Sequence, residues 1–324
     1  MRCTNKLLAG LLAVVLAFTA SGCGTASNEL ANRYPVYQMG LASDQADVTG
    51  NFFGTSRCVG GFSNVGEVND PQVAEGAGVF NTATGEIPYA QNIYDPLYPA
   101  STTKILTAYI ALKEGNLDDV ITVSENALNL DPDSSTCGLA AGDQITLRDL
   151  LFGLMMKSGN DAAVAIAEYI SGDVTAFAAK MNEEARMLGA TRSNFVNPHG
   201  LPDDNHYTSV YDLYLIFSEA VKNDTFVDLI HTTTYTANYT HADGSEATQE
   251  WNSTNQYFTG GADIPEGFTI IGGKTGTTGA AGFCLVLLSE NTAGQQIVSI
   301  VLKADCKSNL YLLMNEILAG YGNS

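Results

Sequence analysis

The chain has 324 residues, 15 of them Lys or Arg and 35 Asp or Glu, for a formal net charge of −20. With 45% hydrophobic and 15% charged residues it is not a disordered polymer, and its length allows one large or two modest domains with a real core. No cluster of Lys and Arg exists to meet a phosphate backbone or an anionic lipid surface, so nucleic acid is excluded as a partner and an anionic substrate must be met by individually placed cations.

Arg2 and Lys6 precede an uncharged run, Leu7 to Ala20, followed by Ser21-Gly22-Cys23. A basic start, a short apolar stretch and small residues before a cleavage point describe an export signal over residues 1–22. The run falls short of the ~20 residues that span a bilayer. Small residues ending at a Cys resemble a bacterial lipobox, with Ala20 where Leu is more usual. The expectation is a lipid on Cys23 and a place on the outer face of the cytoplasmic membrane, the alternative being plain secretion. Removing residues 1–22 deepens the charge from −20 to −22. Without Cys3 and Cys23, Cys58, Cys137, Cys284 and Cys306 remain, and no Cys-x-x-Cys suggests zinc or a redox site. Buried thiols, or at most one or two disulfides, are expected.

Residues 23–75, rich in Asn, Gly, Ser and Asp, read as a tether and N-terminal extension; patterned sequence begins near Gly76 and forms one domain over 76–324. Gly78-Val79-Phe80 and Ile87-Pro88-Tyr89 flank Asn81 to Gly85 as a hairpin. Helices are expected over Ile105–Leu112, ending near Gly115; over Leu147–Met156, begun by Thr146 and Asp149; over Asp161–Ile170; after the cap Asp173, with Phe177, Met181, Ala185 and Leu188 on one stripe; and over Ser209–Val221. Strands follow at Phe268–Ile271, Gly282–Leu288 and Ile297–Leu302, then an amphipathic helix, Leu310–Leu318. This order predicts an α+β domain with its helices segregated from one antiparallel sheet.

Lys104 is the only charge in the buried-type helix that runs to Leu112. An unpaired ammonium there is expensive, so it must be paired, neutral or at work. Ser101 lies three residues earlier, on the same face and at the helix N-terminus, where a nucleophilic oxygen is favoured. A partly desolvated Lys near another cation can take a hydroxyl proton. Alone, Ser-x-x-Lys is equally met by a capping serine and a lysine reaching solvent.

Two further elements follow in order: Ser158-Gly159-Asn160 in a break between helices, and Lys274-Thr275-Gly276 after a strand. Ser-x-x-Lys, Ser-x-Asn and Lys-Thr-Gly in this order are the signature of penicillin-binding proteins and serine β-lactamases. The contexts Pro99-Ala100-Ser101, Asn160-Asp161-Ala162-Ala163 and Asn197-Pro198-His199-Gly200-Leu201-Pro202 resemble the low-molecular-mass D-alanyl-D-alanine carboxypeptidases, from about Ala77 to the last helix.

The resemblance implies the transpeptidase fold of that group, an antiparallel sheet with a helical subdomain. It implies a serine carboxypeptidase acting on peptidoglycan stem peptides that end in D-Ala-D-Ala, acylated by β-lactams, and needing no cofactor or metal. It implies Ser101 as nucleophile, Lys104 as its base, Ser158 as proton relay, and Asn160 as holder of Lys104 and the substrate amide. Lys274 and Thr275 would meet the terminal carboxylate, Gly276 would let the backbone come close, and the N–H groups of Ser101 and Thr277 would form the oxyanion hole. Family members often add a β-rich domain and a C-terminal anchor; the short stretch after Lys274 has no room for both, which favours Cys23 as the anchor. Lys157 stands where the family has a small or neutral residue and is expected to face solvent.

Two alternatives remain: a serine β-lactamase on the same fold, and a non-catalytic β-lactam-sensing or wall-binding lipoprotein. The class A lactamase needs a Glu in the loop after Ser-x-Asn, and Thr191–Pro202 contains no acid. His199 and His206 are read as structural, His231 and His241 as isolated, and Trp251 as either core or rim.

Overall fold

In the computed structural model, which describes residues 57–324, β1 (Ala74–Asn81) and β2 (Glu86–Gln91) form the expected hairpin. The expected leader, Cys23 and most of the 23–75 segment lie outside the described residues. The end of that segment packs on the domain: the Cys58 side chain is buried, Val65 pairs with Ala90, and Tyr94 Oη donates to Gly60 O at 2.8 Å.

The main sheet has the order β2-β1-β9-β8-β7 and is antiparallel throughout, with β7 (Phe268–Thr278), β8 (Gly282–Asn291) and β9 (Gln296–Ala304) closing it. Its strands are apolar on both sides because both faces are covered. One face, with Val79, Leu285, Leu287 and Val301, packs on the helix α8 (Lys307–Tyr321) through Leu310, Met314, Ile317 and Leu318. Each of these side chains is fully buried and contributes about 1.5–3 kcal/mol. The other face, with Phe80, Val286, Val298 and Ile300, packs on the helical body.

That body is built from α1 (Lys104–Glu114), α2 (Leu147–Phe152), α3 (Asn160–Ser171), α4 (Val174–Met187), α5 (Val210–Ala220) and α6 (Asp224–His231). A further short helix, α7 (Gln256–Thr259), follows on. The caps read from sequence are made: Thr146 Oγ1 accepts from Asp149 N, Asp173 Oδ1 from Ala176 N, and Ser209 Oγ from Asp212 N. The stripe Phe177, Met181, Ala185 and Leu188 is buried.

Three expectations need correction. The single sheet is joined by a second, four-stranded one of order β3-β4-β5-β6, with β3 (Val120–Thr122), β4 (Gln144–Thr146), β5 (Thr234–Thr240) and β6 (Glu246–Asn252). Its long hairpin, β5–β6, is largely polar and half exposed; Tyr235, Ala237 and Tyr239 alternate with polar residues along β5, but of these only Ala237 is fully buried, so the strand period is a weak one. The helix expected to run to Met156 changes to a π turn over Gly153–Lys157, so it ends one residue before Ser158. The strand expected to stop at Ile271 runs on through Gly272 and Gly273 to Thr278, placing Lys274, Thr275 and Gly276 inside β7 at the edge of the sheet.

Candidate active site

The chain enters α1 through a 3-10 turn, Ala100–Thr103, held by Thr102 Oγ1 donating to Pro99 O at 2.7 Å. Ala100 is in the left-handed region at φ 48°, a strain that turns the half-buried Ser101 into a cleft. One helical turn on, Lys104 is fully buried. Its Nζ lies 2.7 Å from Asn160 Oδ1, 2.7 Å from His199 O and 3.1 Å from Ser101 Oγ. Two of these partners are carbonyl oxygens that can only accept. A neutral amine spends its two N–H bonds on them, and its lone pair is left facing the Ser101 hydroxyl. Nothing in that geometry wastes a proton.

Ser158 follows the π turn in the left-handed region at φ 61° and ψ 34°. This kink ends one helix and lets Asn160 open α3, so both side chains aim at the same point. The flanking loop is tied to them: Asn160 N donates to Ser135 O at 2.8 Å, and the buried Asp161 carboxylate accepts from the N–H groups of Cys137 and Ala162 at 2.8 Å. The third element arrives on β7. Lys274 is 1% exposed, and its Nζ donates to Ser158 Oγ at 3.0 Å and Thr275 O at 2.9 Å. Thr275 Oγ1 lies 2.5 Å from Thr254 Oγ1. A Cβ on Gly276 would sit 2.9 Å from Ser101 N, so only glycine lets this strand approach the nucleophile's backbone. Thr277 comes next and shares the cleft with Ser101.

Two buried lysines in one pocket cannot both hold a proton cheaply. Burial, and then repulsion from Lys274, hold Lys104 well below the ordinary lysine range, with Cys137 and Asp161 opposing. Burial alone brings Lys274 down to about 7. The arrangement therefore offers a hydroxyl, a neutral amine to deprotonate it, and a second lysine able to carry positive charge beside Ser158.

The eight residues expected in the pocket, Ser101, Lys104, Ser158, Asn160, Lys274, Thr275, Gly276 and Thr277, converge on one cleft. Cys23 lies outside the described residues. Sequence reasoning missed the working part of the 197–202 loop, because a backbone carbonyl leaves no mark on residue type. His199 supplies its C=O to Lys104, while its ring Nδ1 accepts from Leu201 N at 3.2 Å. Burial, then Lys104 and His206, push the His199 imidazole down to about 3, so it stays neutral beside the amine. His206 Nδ1 accepts from Val196 N, which assigns the proton to Nε2, facing Thr103 Oγ1 at 2.9 Å. Gly200 has φ 90°, and a Cβ there would lie 1.8 Å from Ala100 O; the loop presses directly on the Ser101 turn. Thr254 and the exposed Lys307 also line the cleft and were not singled out.

Ser101 sits between two cavities, one of about 180 Å³ towards Thr254 and Thr275, the other of about 480 Å³ towards Asn160 and Gly200. Of the remaining candidates, Trp251 is core, donating Nε1–H to Cys137 O at 3.4 Å, and Lys157 is exposed. His241 is not isolated: its Nδ1 lies 2.8 Å from the buried Asp143 carboxylate. His231 likewise has a partner, Nδ1 lying 2.7 Å from Ile271 O. The four cysteines are free thiols, three of them buried, and Cys306 caps α8 by accepting from Asn309 N.

The family profile described as D-alanyl-D-alanine carboxypeptidase matches residues 65–306. The chain is 33% identical to D-alanyl-D-alanine carboxypeptidase DacA of Haemophilus influenzae over 242 residues, 72% of this chain and 58% of that protein. It is 32% identical to D-alanyl-D-alanine carboxypeptidase DacF of Bacillus subtilis, over 71% of this chain and 57% of that one. The chain thus spans under two thirds of the length of these two relatives. Among solved structures, the Streptomyces K15 DD-transpeptidase superposes with a TM-score of 0.71 at 31% identity, covering 78% of this chain and 98% of that one.

Proposed function

Because this chain belongs to the D-alanyl-D-alanine carboxypeptidase family, we propose that it removes the terminal D-alanine from peptidoglycan stem peptides through an acyl-enzyme on Ser101. The observation that carries this reading is the Lys104 amine, held by two carbonyl acceptors with its remaining valence 3.1 Å from Ser101 Oγ. Ser101 attacks the carbonyl between the two D-alanines while Lys104 takes its proton. The N–H groups of Ser101 and Thr277 stabilise the oxyanion; a donor of this kind is typically worth about 2.7–4 kcal/mol. Ser158, hydrogen-bonded to Lys274, returns a proton to the departing amine, and D-alanine leaves. Lys274 and Thr275 meet the terminal carboxylate, and the free edge of β7 pairs with the extended peptide. Water then hydrolyses the ester. A β-lactam presents an equivalent carbonyl and carboxylate and is trapped at the ester stage.

The test is D-alanine release from a peptide ending in D-Ala-D-Ala, with mass spectrometry after penicillin to locate the adduct. Release together with an adduct on Ser101 is expected; the absence of both would overturn the reading. Rapid penicillin turnover would instead favour the β-lactamase alternative. The same proposal places the protein on the outer face of the cytoplasmic membrane through a lipid on Cys23, supported by the charge and length of residues 1–22. Cys23→Ala should release it from membranes, and unchanged partition would refute the anchor.

A further inference from the structure

Nine large apolar side chains stand exposed among the described residues, and three of them, Val59, Phe62 and Val65, fall within seven consecutive positions at the start of the domain. Phe62 is 83% and Val59 73% exposed, on a stretch, Cys58 to Gly66, that carries no charge in an otherwise acidic chain. An apolar side chain on a fraying end means little, but this stretch is pinned. Cys58 is buried; its N–H donates to Tyr214 Oη and its C=O accepts from Tyr211 Oη, each at 2.8 Å. Tyr94 Oη holds Gly60 O at 2.8 Å, and Val65 and Ala90 exchange backbone hydrogen bonds at 2.8 and 2.9 Å. Between these ties the chain is ordered with Val59 and Phe62 left in water, which marks a surface that receives a partner.

The position of the loop in the chain and its rim both point to lipid. The described residues begin at Arg57, 34 positions after Cys23. With the lipid proposed for Cys23, on which this inference rests, that span keeps the loop within about 120 Å of the bilayer even if fully extended. Contact with the bilayer is then intramolecular, so a small apolar surface suffices. At the rim, the Arg192 guanidinium lies over the rings of Phe62 and Tyr94, 5.7 and 5.6 Å from their centroids, and the two rings are 5.0 Å apart. A guanidinium and a phenol beside an apolar tip match the headgroup level of a bilayer, with the tip below it. We propose that the Cys58–Val65 loop seats the domain on the membrane surface, with Val59 and Phe62 entering the interface as a second contact beside the lipid anchor. In so acidic a chain the contact is apolar rather than electrostatic, so it holds on zwitterionic lipid and persists at high salt.

The experiment places an emitter at the loop with Phe62→Trp; the single native tryptophan, Trp251, is buried and supplies a constant background. The lipidated full-length variant is reconstituted on phosphatidylcholine vesicles, with and without bromine on the acyl chains. The emission from position 62 should shift to the blue on plain vesicles, fall about twofold on brominated ones, and do both equally at low and high salt. Val59→Asp in the same background should abolish the shift and the quenching, because a carboxylate is then driven into the interface. D-alanine release from a soluble peptide should be unchanged in both variants, which confirms the fold. Vesicle-bound protein with neither shift nor quenching overturns the seating and leaves the anchor standing. A blue shift already present without vesicles overturns it too, assigning the cover to residues 24–56 or, where it depends on concentration, to a second copy of the chain. Protein that does not stay with the vesicles removes the anchor and the seating together.

Discussion

One wall of the cleft is regular structure, with Lys104 on α1 and Lys274 on β7, each buried and fixed by helix or sheet hydrogen bonding. The facing wall is loop, made from Asp131–Asp143 and the 197–202 segment, and it holds its place through point contacts. Asp161 grips Cys137 N, Ser135 O grips Asn160 N, and Asp143 accepts from Ala140 N while pairing with His241. The difference separates two demands. Proton transfer requires the amine and hydroxyl to be placed within about half an ångström, which packed elements supply. Recognition of a varied peptide tolerates looser geometry, and loops supply that. The 197–202 segment sits between the two cases, because its His199 carbonyl completes the amine's hydrogen bonding.

The largest effect should come from the regular wall. Lys104→Ala should slow acylation of Ser101 by fluorescent penicillin by about 10²–10⁴-fold with the circular dichroism spectrum unchanged. A wild-type rate would mean that the base lies elsewhere. Gly200→Ala probes the contact between the walls. Its Cβ would fall 1.8 Å from Ala100 O at a positive φ, so the Ser101 turn must shift. Acylation should drop by about 10²-fold and stability by about 1–3 kcal/mol, read from stopped-flow labelling and denaturant unfolding. An unaffected variant would show that the loop can retreat freely.

Smaller effects are expected from the loop ties. Asp161→Asn exchanges an acceptor-only carboxylate for an amide whose NH₂ has no use facing the N–H groups of Cys137 and Ala162. A loss of about 1.5–3 kcal/mol and faster amide exchange at Cys137 should result, with acylation altered less than by Gly200→Ala. Equal damage to acylation would merge the two walls into one mechanical unit. The finest test is of charge. Burial and then Lys274 hold Lys104 low, so Lys104 is competent above its folded-state value and protonated, hence inert, below it. Lys274→Met removes the repulsion and raises that value. The acid limb of the pH profile for acylation should therefore move to higher pH, whatever happens to the maximal rate. A stationary limb would leave burial as the only cause.

Much of the regular wall was legible because its signals are local. A single lysine in an apolar helix, caps at Thr146, Asp173 and Ser209, and a Gly-turned hairpin each declare themselves within a few residues. Ser101, Lys104, Ser158, Asn160 and Lys274 could be picked out by spacing and motif. The loop wall was not legible. Its contributions are backbone groups, such as His199 O and Ser135 O, and a carbonyl looks the same behind every side chain. The extent of β7 was hidden for a related reason. Gly272, Gly273 and Gly276 have little strand propensity of their own, and they sit in the strand where neighbouring backbone leaves no room for a Cβ. The second sheet stayed hidden because the alternation of Tyr235, Ala237 and Tyr239 along β5 is only weakly apolar, and its partner β6 is mostly polar.

The pairing of β1 with β9 has a consequence for biosynthesis. Ala77 lies opposite Val301, so the first strand among the described residues must wait for the last. A growing chain can form the β1–β2 hairpin but cannot close the sheet, and β7 cannot take its edge position until β8 has joined it to β9. Contacts between segments so remote in sequence form slowly. A chain truncated before β9 would therefore leave Lys274 unplaced even though every motif had been translated, and such a product should show no penicillin labelling at all.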